Sequence, residues 1–152
     1  MSTPSSQIDP RGPRFGAALT SLWLLIAVWL LVPTASSPQF GAGWWLVVAI
    51  TALFAWGAVL GPARHPYGWL FKRVIRPRLS PPAFLEEQAP PRFAQAVGLF
   101  VTLIGVVLHL FAVPYALVAA AGAAFIAAYL NAVFGLCLGC EMYRILPRRA
   151  SA

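Results

Sequence analysis

Cys137 and Cys140 are the only cysteines in a chain of 152 residues, and their types and spacing limit the chemistry open to them. Two cysteines this close, with none elsewhere, make a local pair rather than the disulfide framework of a small secreted domain. Three positions apart on a helix, both side chains share one face. Three readings stay open. The pair can carry out thiol redox chemistry or sulfur relay. It can be half of a zinc or copper site, C-x-x-C being a common half-site, completed by Glu141 and His65 or by a second subunit's pair. Or the cysteines can pack as small apolar residues.

Geometry discriminates only partly. Cβ atoms at i and i+3 of a helix lie about 5 to 6 Å apart, whereas a disulfide wants roughly 3.5 to 4.5 Å. An unbroken helix therefore resists closing the bridge, and Gly139, between the two, is the expected hinge. The pair follows a long apolar run, which predicts a place at a helix C-terminus. Enzymes that exchange disulfides through C-x-x-C put it at a helix N-terminus, where the dipole favours thiolate. Here the negative end of the dipole and Glu141 oppose thiolate, while Arg144, four residues after Cys140, favours it. On that reading Glu141 and Arg144 tune the pair, and a partner, quinone or metal supplies the missing activation. No cofactor is otherwise called for.

The elements that position these residues are apolar. Hydrophobic residues make up 60% of the chain and charged residues 10%, against about 25% charge in soluble domains. Four uncharged runs are predicted to span a membrane, at about residues 15–32, 44–60, 93–111 and 115–138. The first has eighteen residues, or about 27 Å of helix, enough for the hydrocarbon core. It also exceeds the roughly 7 to 15 residues of a signal-peptide apolar region, so Thr34-Ala35-Ser36-Ser37 is not taken as a cleavage site. Trp44 and Trp45 open the second run where indoles favour headgroups. Ala112-Val113-Pro114 alone separates the last two, which predicts a tight antiparallel hairpin.

The Lys and Arg residues fix the expected orientation. Two lie in the tail 1–14 (Arg11 and Arg14), six in the connection 61–92 (Arg64, Lys72, Arg73, Arg76, Arg78 and Arg92) and three in the tail 139–152 (Arg144, Arg148 and Arg149), which accounts for all eleven. The other two connections have none. Since cytoplasmic loops collect Lys and Arg, both tails and the basic connection are expected in the cytoplasm, with four crossings between. The net charge of +7 is thus explained by topology and by attraction to anionic headgroups, not by nucleic acid. Within the connection, Tyr67, Leu70, Phe71, Val74, Ile75 and Leu79 follow helical spacing. They predict a segment lying along the membrane surface, as an anchor or as a docking patch for an acidic partner or lipid. Ser80 to Pro91 reads as an extended linker.

Gly57 and Gly61 in the second span, and Gly135 and Gly139 at the fourth, form G-x-x-x-G pairs; they predict a close helix crossing, or else separate packing contacts or a homodimer seam. His109 and Asn131 are intramembrane polar groups that need partners, through a relay or one interhelical hydrogen bond each. Soluble-enzyme signatures are absent: there is no G-x-S-x-G, phosphate-cradling glycine loop or H-E-x-x-H. With no charge inside a span, a channel or carrier is not expected.

Four separated segments, Ile8-Asp9-Pro10-Arg11-Gly12-Pro13-Arg14-Phe15, Gly61 through Arg78, Pro90-Pro91-Arg92-Phe93-Ala94 and Asn131 through Glu141, resemble, in order, a bacterial family of small four-span integral membrane proteins. That family ends in an F-G-x-C-x-G-C motif, here Phe134 to Cys140, and is classified as a domain of unknown function. The resemblance implies a plasma-membrane location, no established activity, and association with thioredoxin-like or rhodanese-like soluble proteins. The sequence therefore predicts an all-α, polytopic four-helix membrane bundle. Its expected role is thiol redox or sulfur transfer through Cys137 and Cys140, against the alternatives of a non-catalytic anchor or scaffold and a metal-binding protein.

Overall fold

The computed structural model describes residues 7–146; Arg148 and Arg149 of the basic tail lie outside the described residues. Four helices are long and apolar enough to cross a membrane. These are α1 (Arg11–Leu31), α2 (Ala42–Leu60), α4 (Ala89–Leu110) and α5 (Ala116–Phe134). Between α2 and α4 the short helix α3 (Pro66–Leu70) runs on through a π turn, Phe71–Ile75, and a 3-10 turn, Arg76–Arg78. A last helix, α6 (Leu138–Ile145), follows α5. Two-residue strands β1 (Gln7–Ile8) and β2 (Glu86–Glu87) pair antiparallel.

The protein is an all-α four-helix membrane bundle. Within the apolar window of each long helix, no more than 28% of residues are buried inside the chain, and Trp29, Phe100 and Ile126 stand exposed. Such surfaces are at rest in lipid and not in water. The helices close as a ring in which α1 touches α2 and α5, and α4 touches α2 and α5, leaving α2 and α5 across a diagonal. Leu24, Ala27, Leu31, Val47, Ile50, Phe54, Leu117, Ala121 and Ala124 fill the centre.

With lipid outside, the helices gain little from hiding apolar surface and associate by close packing over small residues. A Cβ on Gly98 would lie 2.7 Å from the Phe54 ring, and one on Gly105 would run into Ala120. Buried hydroxyls turn back on their own helices: Thr51 donates to the Val47 carbonyl at 2.8 Å and Thr102 to that of Gly98 at 2.9 Å. These two hydroxyls thus need no water, while the buried Trp44 Nε1 finds no hydrogen-bond partner among the described residues.

Helix ends pose the harder problem, because their last carbonyls lack intrahelical donors. At the end of the bundle that carries the basic connection, two arginines answer it. Arg92 donates from Nε to Ala58 O at 2.7 Å and from Nη2 to Val59 O at 2.8 Å, closing α2. Arg14 donates from Nε to Ala132 O at 3.1 Å and from Nη2 to Val133 O at 2.9 Å, closing α5. Each also puts positive charge at the negative end of a helix dipole.

Several expectations change. The linker Ser80–Pro91 is shorter than expected: β2 pairs with the N-terminal strand, and α4 begins at Ala89 with Pro90 and Pro91 inside its first turn, a place where proline loses no hydrogen bond. The surface segment is helical, but Phe71 turns inward, 3% exposed, against the ring of Phe15 at 5.9 Å. His109 bonds the Gln39 carbonyl at 3.1 Å, tying α4 to the α1–α2 connection and not to a facing helix.

Replacing Arg92 by Gln removes both bonds to the end of α2. Charged hydrogen bonds of this kind contribute roughly 1.5 to 3 kcal/mol, less where exposed, so a loss of about 1 to 2 kcal/mol is expected. Detergent-solubilised protein should show a lower midpoint in thermal unfolding, while Arg64→Gln, which removes no such cap, should leave it in place.

Candidate functional site

The fourth span does not run to Leu138. α5 ends at Phe134, Gly135 follows in the left-handed conformation at φ 67°, and its N–H returns to the Asn131 carbonyl at 3.1 Å. Glycine adopts this conformation without steric cost, which is why it so often ends helices. The guanidinium of Arg14 lies against it: a Cβ at Gly135 would be 3.6 Å from Nη1. Leu136 donates its N–H to the Leu130 carbonyl at 3.2 Å, and α6 starts afresh at Leu138.

Cys137 is consequently the N-cap of α6 and not the end of α5. Its Sγ accepts the Cys140 N–H at 3.2 Å, and its carbonyl accepts the Glu141 N–H at 3.0 Å. The two sulfurs are joined as a disulfide, with Cα atoms 5.2 Å apart. An unbroken helix would have resisted the bridge; a cap residue with extended backbone, φ −86° and ψ 99°, does not. The expected hinge at Gly139 is therefore corrected. The chain breaks at Gly135, while Gly139 is helical and buried, and a Cβ there would stand 2.5 Å from the Ala94 Cα.

That close approach fixes α6 on the first turns of α4, where Tyr143 also meets Phe93 with ring centroids 5.7 Å apart. Gly57 packs on the same stretch, against the Gln95 side chain, and Gly61 sits beside Gln88. Gly57 and Gly139 therefore bring α2 and α6 to α4 while Gly135 meets Arg14, and the two glycine pairs do not form a crossing of the second and fourth spans. Asn131 is half-buried on α5, and its side chain makes no hydrogen bond among the described residues.

The charged neighbours also stand differently from expectation. Arg144 donates to Glu141 at 2.9 Å on the exposed side of α6, so the two largely cancel and neither points a full charge at the sulfurs. The dipole acts in the opposite sense from that expected, since both cysteines lie in the first turn of α6. Arg14, beside Gly135, adds positive charge to this end of the chain besides its part in topology.

His65 does not join the pair. Its Nδ1 accepts the Tyr67 N–H at 3.2 Å, so Nε2 carries the proton and donates to the Leu53 carbonyl at 3.1 Å. Both nitrogens are in use, and among the described residues no three His, Cys, Asp or Glu side chains gather as a metal site. Asp9, which no catalytic motif marks, accepts from the Arg11 N–H and binds its guanidinium at 2.8 Å; Arg11 holds its carboxyl below the ordinary range.

A family model described as "Domain of unknown function (DUF4395)" matches residues 8–148. Neither a search of curated proteins nor one of solved structures returns a match.

Burial pushes the His65 imidazole below its ordinary pKa of 6.5, against the bond to Leu53, which acts upward. A depressed folded value means that the unfolded chain binds the proton first as pH falls. Stability contributed by neutral His65 is then complete above about 6.5 and declines below it. Thermal midpoints should fall between pH 7 and pH 5, and His65→Gln should reduce that slope.

Proposed function

The chain belongs to the DUF4395 family, a domain of unknown function, and from the geometry at the basic end of its bundle we propose that it exchanges disulfides through Cys137 and Cys140. The observation that carries the reading is the place of Cys137 at the N-cap of α6, its sulfur already accepting a backbone N–H. Donors and dipole that hold a disulfide sulfur also stabilise the thiolate released on reduction, making Cys137 both a better leaving group and a more ionised nucleophile near neutral pH.

The reaction balances with a dithiol partner. One partner thiolate attacks Sγ of Cys137, forming a mixed disulfide as the Cys137–Cys140 bond breaks and Cys140 leaves as a thiolate that takes up a proton. The partner's second thiol displaces Cys137, which leaves as the stabilised thiolate. Two electrons and one proton pass from the partner's thiolate–thiol pair, leaving Cys140 as thiol and Cys137 as thiolate, and the reverse sequence oxidises the pair. The family resemblance suggests thioredoxin-like or rhodanese-like soluble proteins as partners.

The distribution of Lys and Arg supports an orientation with this end facing the cytoplasm, in the plasma membrane. Gly139 and Ala94 would then act as positioning residues, holding α6 on the rigid first turns of α4 at the membrane surface.

Purified full-length protein in detergent, mixed with reduced thioredoxin as a probe dithiol, should lose its disulfide and gain two thiols accessible to a mass-tagged maleimide. Against a single-cysteine thioredoxin supplied as its mixed disulfide with thionitrobenzoate, the Cys140→Ser variant should form a mixed disulfide through Cys137 as thionitrobenzoate leaves, and Cys137→Ser should do so at least tenfold more slowly through Cys140. Thioredoxin that stays reduced beside an unchanged disulfide, or variants that trap equally through either cysteine, would contradict the proposal.

A further inference from the structure

A second site lies where the basic connection doubles back, apart from the cysteines and independent of their chemistry. The chain descends through the π turn, reverses at Arg76-Pro77-Arg78 and returns along Leu79-Ser80-Pro81-Pro82. Lys72, Arg76 and this return segment enclose an open cavity of about 420 Å³.

Its walls are fixed from beneath. Phe71 anchors the π turn on α1, lying between the Phe15 ring and Gly12. On the return side, Arg11 donates from Nη2 to the Ser80 carbonyl at 3.0 Å while bound to Asp9. Pro77, Pro81 and Pro82 restrict the backbone between. A cavity held in this way needs little ordering to receive a ligand.

Its charge is of one sign. Lys72 and Arg76 both line it, one helical turn apart, and no carboxylate does. Asp9, which feels Arg76, is already engaged by Arg11 through both oxygens, at 3.0 and 2.8 Å. A compact anion with several acceptor oxygens is the complementary ligand, and a phosphate group meets that description.

The surroundings of the cavity separate a lipid from a free ion. Leu79 contributes to its wall and is 41% exposed, and Trp69 and Val74, on the same helical segment, are 59% and 39% exposed. Trp69 carries the Arg73 guanidinium over its ring at 5.5 Å, an arrangement suited to the depth where acyl chains meet headgroups. Leu79 beside two cations, with Trp69 and Val74 exposed on the same segment at one end of a spanning bundle, matches a molecule that has both a phosphate and acyl chains.

We propose that this cavity binds the headgroup of an anionic phospholipid, with Lys72 and Arg76 on the phosphate and Trp69, Val74 and Leu79 against the upper acyl chains. The occupant differs from a diffuse attraction to charged membranes in that it depends on these two cations and not on net charge.

Native mass spectrometry of the full-length protein in detergent, titrated with phosphatidylglycerol or phosphatidylcholine, tests the assignment. Phosphatidylglycerol should bind at least tenfold more tightly, and Lys72→Gln with Arg76→Gln should remove that preference. The control pair Arg64→Gln with Arg144→Gln, which loses the same charge, should keep it. Equal effects of the two double variants would overturn the site in favour of net charge. Retention of inorganic phosphate with no preference between the lipids would overturn the lipid as occupant, as would loss of bound phosphatidylglycerol to millimolar phosphate. Unchanged thermal midpoints in the double variants would show that any loss arises at the site; a site variant that fails to fold is replaced by Lys72→Gln, for which a smaller loss in the same direction is expected.

Discussion

A helix that ends within reach of lipid must have its last carbonyls satisfied by the protein, and at α5 this requirement shapes everything downstream. Gly135 turns left-handed and returns its N–H to Asn131, while Arg14 reaches from the start of α1 to the Ala132 and Val133 carbonyls. Once these groups are satisfied the chain is free to leave the span before the cysteines rather than after them. The polarity of the helix at the sulfurs is thereby reversed: the same two residues that would sit at the unfavourable end of a longer α5 cap the favourable end of α6.

The early part of α4 serves as the platform for this arrangement. Gly139 brings α6 against Ala94, Gly57 brings α2 against Gln95, and Arg92 closes α2 from the same turns. Where lipid gives helices little apolar incentive to associate, such approaches over small residues and charged bonds to helix ends supply the specificity. Phe71 and the Asp9–Arg11 pair extend the same economy to the basic connection, holding it on α1 so that its cations keep fixed positions. One end of the bundle therefore collects both the cysteine pair and the basic cavity.

Much of this was legible in the sequence. Four uncharged runs, the tryptophans at the start of α2 and the three-residue connection between α4 and α5 suffice for a four-helix membrane bundle, because hydropathy over a span is a sum and tolerates local error. What escaped were boundaries and long-range contacts. Phe134-Gly135 carries a helix-stop signal, glycine after the last residue of an apolar run, yet the apolar Leu136 and Leu138 mask it, and extending the helix through them put the cysteines at the wrong end. Pro90 and Pro91 suggest a linker, although proline is welcome in a first turn, where both lie. The partners of Arg14 and Arg92 lie 118 and 34 residues away, and no local pattern distinguishes a capping arginine from one that only sets topology. A hydrophobic count places the spans; it cannot say which face of α4 meets Gly57 and Gly139.

Whether the chain break at Gly135 truly governs the sulfur chemistry is decided by the ionisation of Cys137. The measurement is the rate of its alkylation by iodoacetamide from pH 4 to pH 10 in the Cys140→Ser protein. A thiol capping α6 should ionise with a midpoint well below the roughly 8.5 of free cysteine. A midpoint at or above that value is what a helix C-terminus or an apolar burial would give, and it would contradict the account.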